Sequence, residues 1–293
     1  MQIQILFPSS PTPTLERYQA ALALARKSYP DFTFLEPPFV SIRDKDEPFG
    51  YLAGSDEARA RQLLSFLSDE SVETVWFGRG GYGLTRTLAI LERLASQYSI
   101  VPGKRLVGYS DITALFSWCK SRKLPLQLIH CPMLCAFGEQ PNPKEIGLAL
   151  EGKPSPIPLS SARGSAFSGI VFGGNLAVLA SLCGTPWLPT PPAKSAVFLE
   201  DVGEAPYRID RFLTQLHDSG FFQNTRKVYL GTYTEHEPAW QMVEVARRRC
   251  EELELELLGE LVVGHSEPNY PLFLDHPYRY CEQTNSLHPF PEV

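Results

Sequence analysis

Concentrated positive charge is missing from this sequence. Lys and Arg number 27 against 33 Asp and Glu, which gives a net charge of −6, and the longest basic run is Arg247-Arg248-Arg249. Because Glu251 and Glu252 follow that run in a helical pattern, we interpret it as a solvated helix face. Nucleic-acid-binding proteins usually carry a basic footprint, so we predict no nucleic-acid partner.

Motifs for metal binding and for a disulfide framework are also missing. The six cysteines include no C-x-x-C pair, and no H-E-x-x-H motif occurs. We therefore expect reduced thiols and no bound metal.

No segment has the pattern of an export signal or of a membrane span. Residues 1–7 alternate like a strand and have neither a basic start nor a long apolar stretch. Residues 164–193 carry no charge, but Gly173, Gly174, Gly184 and Pro186 interrupt them, which excludes a lipid-exposed helix. We predict a cytoplasmic protein with no membrane partner.

Proline is the residue type in excess. It accounts for 26 of 293 residues, against a usual share of about 5%. The prolines are scattered without a repeat, so they indicate fixed turns rather than disorder. Apolar residues make up 43% and charged residues 20%, as in ordinary globular proteins, and the length fits one large domain or two modest ones.

The first half of the chain alternates between strand and helix patterns. We predict strands over residues 3–7, 31–35, 74–77, 105–109 and 126–130, and helices over residues 15–28, 55–67, 83–98 and 112–119. This alternation predicts an N-terminal α/β domain with a mainly parallel sheet over residues 1–138.

The pattern changes after residue 138. A proline-rich segment with few apolar residues predicts a linker over residues 139–165, followed by a second domain over residues 166–293. In that domain we predict strands over residues 169–172, 195–199, 227–231 and 261–263, and helices over residues 176–182, 209–216 and 239–252. Because clefts between domains are common ligand sites, we expect the active site there.

The segment Gly78-Arg79-Gly80-Gly81-Tyr82-Gly83 follows a predicted strand and opens a predicted helix. It matches the G-x-G-x-x-G pattern of dinucleotide-binding folds. However, it follows the third strand rather than the first, and no acidic residue ends the next strand. The same turn can present backbone N–H groups to any developing anion, so both interpretations stay open.

The segment Gly108-Tyr109-Ser110-Asp111 lies where a predicted strand ends and a helix begins. A serine on such a turn is exposed at the carboxyl edge of the sheet, and the next N–H, from Asp111, can act as an oxyanion donor. The alternative is that Ser110 only caps the helix. Ser117-x-x-Lys120 fits a β-lactamase-like pattern, but its partner motifs are missing, so we attribute it to chance.

Candidates for a base and its orienting carboxylate occur in the second half. His265 follows an apolar segment and precedes a polar turn, which suits a base but also a structural histidine. Glu200, Asp201 and Glu204 follow another apolar strand, either as a charged surface loop or with one carboxylate that orients a histidine.

Several short segments form an ordered set along most of the chain. They are Pro8-Ser9-Ser10, Ala53-Gly54-Ser55-Asp56 with Arg59, Arg79-Gly80-Gly81-Tyr82-Gly83, Gly108-Tyr109-Ser110-Asp111-Ile112-Thr113, Gly173-Gly174-Asn175-Leu176, Gly184-Thr185-Pro186, Leu199-Glu200-Asp201 with Glu204, and Gly264-His265. This set resembles the LD-carboxypeptidase family of serine peptidases, which includes the microcin C immunity peptidases. The sequence departs from the usual family pattern after Asn269, where a Leu-Pro-x-Gly turn is replaced by Tyr270-Pro271-Leu272-Phe273.

The resemblance implies a catalytic triad of Ser110, His265 and Glu200. It also implies an oxyanion hole from the backbone N–H groups of Asp111 and Gly81, a smaller β-rich C-terminal domain, no cofactor and a homodimer. A carboxypeptidase needs donors for the free carboxylate of its substrate, and Arg79, Tyr82 and Arg208 are the candidate substrate-binding residues.

The function that the resemblance implies is release of the terminal D-Ala from a murein tetrapeptide, which is a step in cell-wall recycling. The alternative within the family is hydrolysis of a peptide–nucleotide antibiotic, with Trp187 or Trp240 as a platform for the base. Two further hypotheses are a non-catalytic sensor of small molecules and a nucleotide-dependent oxidoreductase.

Overall fold

The computed structural model describes residues 1–37, 43, 46–163, 166–234, 238 and 240–290, and the chain divides into two units, residues 1–153 and residues 154–293. The elements of the first unit are β1 (Gln2–Leu6), α1 (Leu15–Ser28), β2 (Thr33–Leu35), α2 (Asp56–Ser68), β3 (Thr74–Phe77), α3 (Leu84–Leu94), β4 (Arg105–Gly108), α4 (Ile112–Ser121), β5 (Gln127–His130) and α5 (Pro143–Leu150). None of the helices in these described ranges combines the length and the apolar character needed to cross a membrane.

The strands of the first unit lie in the order β5-β4-β3-β1-β2, and each pair is parallel. All four residues of β3 are buried, as expected for a central strand of a parallel sheet that helices cover on both faces. The predicted α/β architecture with a parallel sheet is therefore confirmed.

Side-chain caps define where the first helices begin. Thr14 accepts a hydrogen bond from the Arg17 N–H at the start of α1, and Ser55 accepts one from the Ala58 N–H at the start of α2. A serine or threonine oxygen at this position satisfies a backbone donor that has no partner within the helix.

The sheet topology places two turns side by side. Strands β3 and β4 are neighbours, so the glycine-rich segment after Phe77 and the serine-containing segment after Gly108 leave the same edge of the sheet. This carboxyl edge is where α/β folds usually bind ligands.

The segment predicted as a linker has regular structure. Helix α5 and strand β6 (Ile157–Ala162) lie within residues 139–163, while residues 164 and 165 lie outside the described residues. Pro143 occupies the first turn of α5, where a missing N–H costs nothing, and Pro158 uses only its carbonyl, which accepts from the Val262 N–H. Prolines at helix starts and strands thus gave the segment the composition of a linker.

The second unit is a closed barrel with flanking helices. Its further elements are β7 (Ser168–Asn175), α6 (Leu176–Ser181), β8 (Ala196–Val202), α7 (Pro206–Asp218), β9 (Lys227–Thr234), α8 (Trp240–Glu252), β10 (Glu256–Leu261), β11 (Leu272–Leu274), β12 (Pro277–Cys281) and β13 (Ser286–Pro289). The barrel order is β10-β6-β13-β12-β7-β8-β9, with β7, β8, β9 and β10 parallel to one another. The predicted β-rich character of this part is confirmed.

The basic run of the sequence lies in α8. Arg247 donates to Glu260 in β10 over 2.8 Å, Arg248 to Glu244 one turn earlier over 2.7 Å, and Arg249 to Glu252 over 2.7 Å. Each arginine thus has a carboxylate partner on or beside the same helix.

Candidate active site

Ser110 lies on a strained turn between β4 and α4. Its φ of 61° is in the left-handed region, which costs a residue with a Cβ roughly 1–2 kcal/mol. The N-cap position of α4 belongs to Asp111, so Ser110 does not have the capping role considered from the sequence. The Thr113 N–H donates to the Ser110 carbonyl over 2.9 Å and fixes the turn. We call residues 109–111 the serine turn.

The glycine-rich turn, residues 78–83, packs directly against Ser110. A Cβ on Gly80 would lie 3.1 Å from the Ser110 Cβ and 3.2 Å from its Oγ. Gly81 has a φ of 94°, and a Cβ there would lie 2.3 Å from the Oγ of Ser10. Glycine is therefore required at both positions, for close approach at Gly80 and for both backbone conformation and space at Gly81.

Hydrogen bonds between Ser10 and the glycine-rich turn fix the direction of the Gly80–Gly81 peptide. The Ser10 N–H donates to the Gly80 carbonyl over 3.0 Å, and the Tyr82 N–H donates to the Ser10 Oγ over 3.1 Å. Because the carbonyl and N–H of a trans peptide point in opposite directions, the Gly81 N–H points away from the Ser10 backbone.

Asp111 connects the two turns through its side chain. The carboxylate is 2% exposed, and its Oδ2 accepts from the Leu84 N–H at the start of α3 over 2.9 Å. Burial raises the pKa of this carboxyl to about 6, against the opposing effects of the Leu84 N–H and the Arg59 charge. From the sequence we assigned a role only to the Asp111 backbone, although the N-cap residue of α3, Gly83, has no side chain to cap the helix.

This arrangement also bears on the dinucleotide interpretation of the glycine-rich segment. In dinucleotide-binding folds, the N–H groups at the start of the helix bind a pyrophosphate. Here the Leu84 N–H at that position already donates to a protein carboxylate. This hydrogen bond favours the other interpretation, in which the turn supports the neighbouring serine.

We expect the Asp111 carboxyl to make stability depend on pH. Its folded pKa of about 6 exceeds the ordinary value of 3.8, so between these values the folded state binds more protons than the unfolded state. The wild-type free energy of unfolding should therefore fall as pH rises from about 4 to about 6 through this group. In Asp111→Asn, which keeps an acceptor for Leu84, this contribution is lost. Urea unfolding of both proteins across this range measures the difference.

Asp69→Asn is the control for that experiment. The Ser71 hydroxyl lowers the pKa of the exposed Asp69 carboxyl below 3.8, so this group stays ionised above about pH 4. The stability difference between Asp69→Asn and wild type should be flat across the range. An equally flat difference for Asp111→Asn would contradict the raised pKa.

In the second unit, Glu200 and His265 form a close pair. Glu200 lies in β8 with no exposed surface, and its Oε2 is 2.6 Å from Nδ1 of His265, whose side chain is 13% exposed. A carboxylate only accepts, so the proton of the neutral imidazole is on Nδ1 and Nε2 carries the lone pair. The arrangement provides a histidine whose Nε2 can take a proton.

The backbone around His265 is held from two sides. The Thr234 Oγ1 at the end of β9 donates to the His265 carbonyl over 3.3 Å, and the Gly264 N–H donates to the Oδ1 of Asn269 over 3.1 Å. Asn269 is 1% exposed. The sequence analysis assigned no role to Asn269, although the residue lies in the polar turn after His265 and matches the family pattern up to that point.

Two glycines give Glu200 its space. A Cβ on Gly231 in β9 would lie 2.7 Å from the Glu200 Cβ and 2.5 Å from the Val263 carbonyl. Gly264 has a φ of 138°, and its Cβ would lie 3.2 Å from the same Glu200 atom. The strand and the loop can therefore approach the buried carboxylate closely.

Gly231→Ala is accordingly expected to lower the free energy of unfolding by about 1–3 kcal/mol, because the added methyl overlaps backbone and side-chain atoms that are already packed. Chemical denaturation measures this loss. In Gly138→Ala, the new Cβ would meet only the Leu24 Cδ2, at 3.4 Å, so that variant should stay within about 0.5 kcal/mol of wild type. Equal stability of the two variants would contradict the packing around Glu200.

The other carboxylates of the predicted cluster have different partners. Asp201, which follows Glu200 on the strand, accepts from the Asn175 side chain over 3.1 Å and from the Ala177 N–H over 2.9 Å. Burial, followed by the nearby charge of Glu200, raises the Asp201 pKa to about 7. Glu204 forms an ion pair with Arg208. Of this cluster, the structure pairs only Glu200 with His265.

Comparisons with known proteins agree with this architecture. Residues 3–130 match the model of the LD-carboxypeptidase N-terminal domain, and residues 168–279 match that of the LD-carboxypeptidase C-terminal domain. A murein tetrapeptide carboxypeptidase of Pseudomonas aeruginosa is 30% identical over 244 residues, which are 78% of this chain and 78% of that protein. The chain belongs to the LD-carboxypeptidase family.

Solved structures share the fold of this LD-carboxypeptidase family member. The muramoyltetrapeptide carboxypeptidase from Oxalobacter formigenes superimposes with a TM-score of 0.78 at 22% identity, over 99% of this chain and 98% of that one. MccF in complex with glutamyl sulfamoyl guanosine superimposes with a TM-score of 0.76 at 18% identity, over 99% and 96%.

The candidate substrate-binding residues of this family member differ in their charge environment. Arg79 is half-buried and donates to the neutral Pro11 carbonyl over 2.9 Å, whereas the charge of Arg208 is compensated by Glu204. Tyr82 is 47% exposed, and its ring centroid is 6.1 Å from that of Tyr51. Arg79 is therefore better suited than Arg208 to bind an added carboxylate.

The two tryptophans proposed from the sequence as platforms for a nucleobase differ in exposure. Trp240 at the start of α8 is 65% exposed, while Trp187 is half-buried. An exposed aromatic ring can stack on a base, so Trp240 is the better suited of the two for this role.

Proposed function

We propose that this family member is a serine carboxypeptidase that hydrolyses an LD peptide bond and releases the terminal D-Ala of a murein tetrapeptide. The observation that carries the proposal is the 2.6 Å contact between the buried Glu200 carboxylate and Nδ1 of His265. The strained Ser110 on a strand-to-helix turn supports it, because a nucleophile at such a turn projects its hydroxyl beyond the sheet edge.

In the proposed reaction, the Ser110 Oγ attacks the carbonyl carbon before D-Ala, and His265 Nε2 accepts the hydroxyl proton. The tetrahedral intermediate collapses as His265 returns that proton to the leaving amine. D-Ala departs, and the tripeptide remains as an ester on Ser110. Water then attacks the ester with His265 again as base, which frees the tripeptide and restores the serine.

The remaining groups lower the barrier electrostatically. Glu200 keeps the proton of neutral His265 on Nδ1 and stabilises the imidazolium that forms during attack. The N–H groups of Asp111 and Gly81 are the proposed oxyanion donors, and one such donor typically contributes about 2.7–4 kcal/mol. Arg79 is the proposed partner for the terminal carboxylate of the substrate. Tyr82, three residues further along the same turn, is a second proposed substrate-binding residue.

A second candidate substrate is an aminoacyl–nucleotide conjugate, as in peptide–nucleotide antibiotics. The exposed ring of Trp240 favours it, because a base needs an aromatic face to stack on. The same three residues, Ser110, His265 and Glu200, would perform that hydrolysis, so the two candidates differ in substrate rather than in mechanism.

Mass spectrometry of product mixtures separates the candidates. The purified protein is incubated with a murein tetrapeptide ending in D-Ala, with the same peptide ending in L-Ala, and with an aminoacyl sulfamoyl nucleoside. Loss of one alanine from the D-Ala peptide alone is the expected result. Cleavage of the nucleoside conjugate alone would replace the tetrapeptide by the second candidate, and binding without turnover would favour a sensor.

The cytoplasmic location and the homodimer remain predictions for this proposed enzyme. Light scattering coupled to gel filtration tests the second of them directly: a mass of twice 32.8 kDa is expected, and a mass of one chain would contradict it.

A further inference from the structure

We propose that the side chains of Ser10 and Asp111 act as positioning residues that hold the glycine-rich turn against the serine turn. Their hydrogen bonds set the direction of the Gly81 N–H relative to the Asp111 N–H, so that both can donate to one oxyanion. This inference rests on the proposed serine mechanism and assigns the two side chains a role that is distinct from the triad.

Ser10 holds the turn from the side of β1. Its backbone N–H donates to the Gly80 carbonyl over 3.0 Å, while its hydroxyl accepts from the Tyr82 N–H over 3.1 Å and donates to the Tyr82 carbonyl over 3.4 Å. These bonds fasten the peptides on both sides of Gly81. The residue is 6% exposed, so water competes little for them.

Asp111 holds the same turn from the side of β4. Its carboxylate accepts a hydrogen bond over 2.9 Å from the N–H of Leu84, the residue that follows the glycine-rich turn. The backbone N–H of Asp111 itself belongs to the serine turn. One residue thus connects a proposed oxyanion donor to the segment that carries the other. Arg59 supports the same region: it donates to the Pro8 carbonyl over 2.7 Å, and its Nη1 would lie 2.7 Å from a Cβ on Gly83.

The turn needs such support because of its composition. Gly80 and Gly81 have no side chains through which packing could restrict them, and glycine has more backbone freedom than any other residue. A displacement of about 1 Å at a catalytic group can reduce a rate about 10²-fold. Contacts from both neighbouring segments therefore matter to the transition state more than to substrate binding.

Four variants test the proposal. Ser10→Ala keeps the backbone bond to Gly80 but loses the hydroxyl, and Asp111→Ala loses the acceptor for Leu84. We expect kcat for the tetrapeptide to fall about 10-fold in the first and about 10- to 100-fold in the second, with KM within about threefold of wild type. Asp111→Asn, which keeps an acceptor, should recover most of the kcat that Asp111→Ala loses. Thr214→Ala, in α7 of the second unit, loses an acceptor for Arg249 of α8, so it should lower Tm but not kcat.

A second measurement shows how firmly the glycine-rich turn is held, and it does not depend on catalytic turnover. Hydrogen exchange measured by mass spectrometry on peptides covering residues 78–84 should speed up at least about 10-fold in Ser10→Ala and Asp111→Ala, and stay unchanged in Thr214→Ala. If kcat of Ser10→Ala and of Asp111→Ala equals that of Thr214→Ala, the proposal is wrong. If the wild type cleaves no tetrapeptide, the proposed function is wrong, and hydrogen exchange alone then tests the positioning role of Ser10 and Asp111. Faster exchange in Ser10→Ala and Asp111→Ala supports that role, and unchanged exchange overturns it.

Discussion

Ser110→Ala is expected to reduce kcat for D-Ala release from the tetrapeptide by at least about 10⁴-fold. The alanine cannot form the acyl ester, so only the binding groups and oxyanion donors remain to accelerate attack by water. Serine and alanine both carry a Cβ, so the left-handed conformation at position 110 costs them about the same. The variant should therefore unfold at nearly the wild-type temperature. Rates of D-Ala release and thermal unfolding curves measure both effects.

Ser117→Ala is the matched control, since Ser117 lies buried in α4 one helix turn before Lys120 and offers an alternative serine–lysine pattern. It should retain kcat within about twofold, because it removes one buried hydroxyl oxygen that takes no part in the proposed reaction. Full activity of Ser110→Ala, or a comparable loss in Ser117→Ala, would show that the nucleophile has been assigned to the wrong residue.

Glu200→Gln has the second-largest expected effect, a fall in kcat of about 10³–10⁴ with little change in KM. The amide can donate to Nδ1 of His265, which then favours the tautomer with its proton on Nε2, the atom that must accept the serine proton. It also removes the charge that stabilises the imidazolium. Steady-state kinetics of the purified variant gives kcat and KM separately.

The control for this charge removal is Glu260→Gln. Glu260 is also a largely buried glutamate in the second unit, but it pairs with Arg247 of α8 rather than with a histidine. Its replacement should change stability and leave kcat within about twofold. If Glu200→Gln retains wild-type kcat, the Glu200–His265 contact is structural, and the histidine needs no orienting carboxylate.

Much of the first unit could be predicted from the sequence because its segments have clean periodicity. The predicted bounds of α1 and β3 equal the observed Leu15–Ser28 and Thr74–Phe77, since capping residues or turn residues flank each segment. Proline content misled the interpretation of residues 139–165, where α5 and β6 form. Composition cannot separate a proline at the start of a helix from one in a linker.

The second unit was harder to predict because barrel strands are short and their pairing is non-local. The strand predicted over residues 261–263 is instead β10, Glu256–Leu261, in which Leu257, Leu258 and Leu261 are buried and Glu256 is exposed. Glu256 and Glu260 interrupt the apolar pattern of β10, whereas residues 261–263 form an uninterrupted apolar run. Strands β12 and β13 were missed because each is short and contains a proline, Pro277 in β12 and Pro289 in β13.

For the candidate site, sequence motifs pointed to residues at turns but not to their supports. Glu200 and His265 were paired from the resemblance, and the structure places them 2.6 Å apart. The Ser10 hydroxyl and the Asp111 carboxylate contact backbone atoms 72 and 27 residues away, so no local pattern signals those bonds. Such contacts depend on which strands are neighbours, and the order of strands in the sheet comes from the structure.

The most direct test of the proposed mechanism is mass-spectrometric mapping of the adduct that a fluorophosphonate forms with the protein, with and without excess tetrapeptide. We expect one adduct, on the Oγ of Ser110, formed more slowly when a tetrapeptide ending in D-Ala is present and at the unchanged rate with the L-Ala peptide. No adduct, an adduct on another residue, or labelling that the D-Ala peptide does not slow would contradict the proposed mechanism.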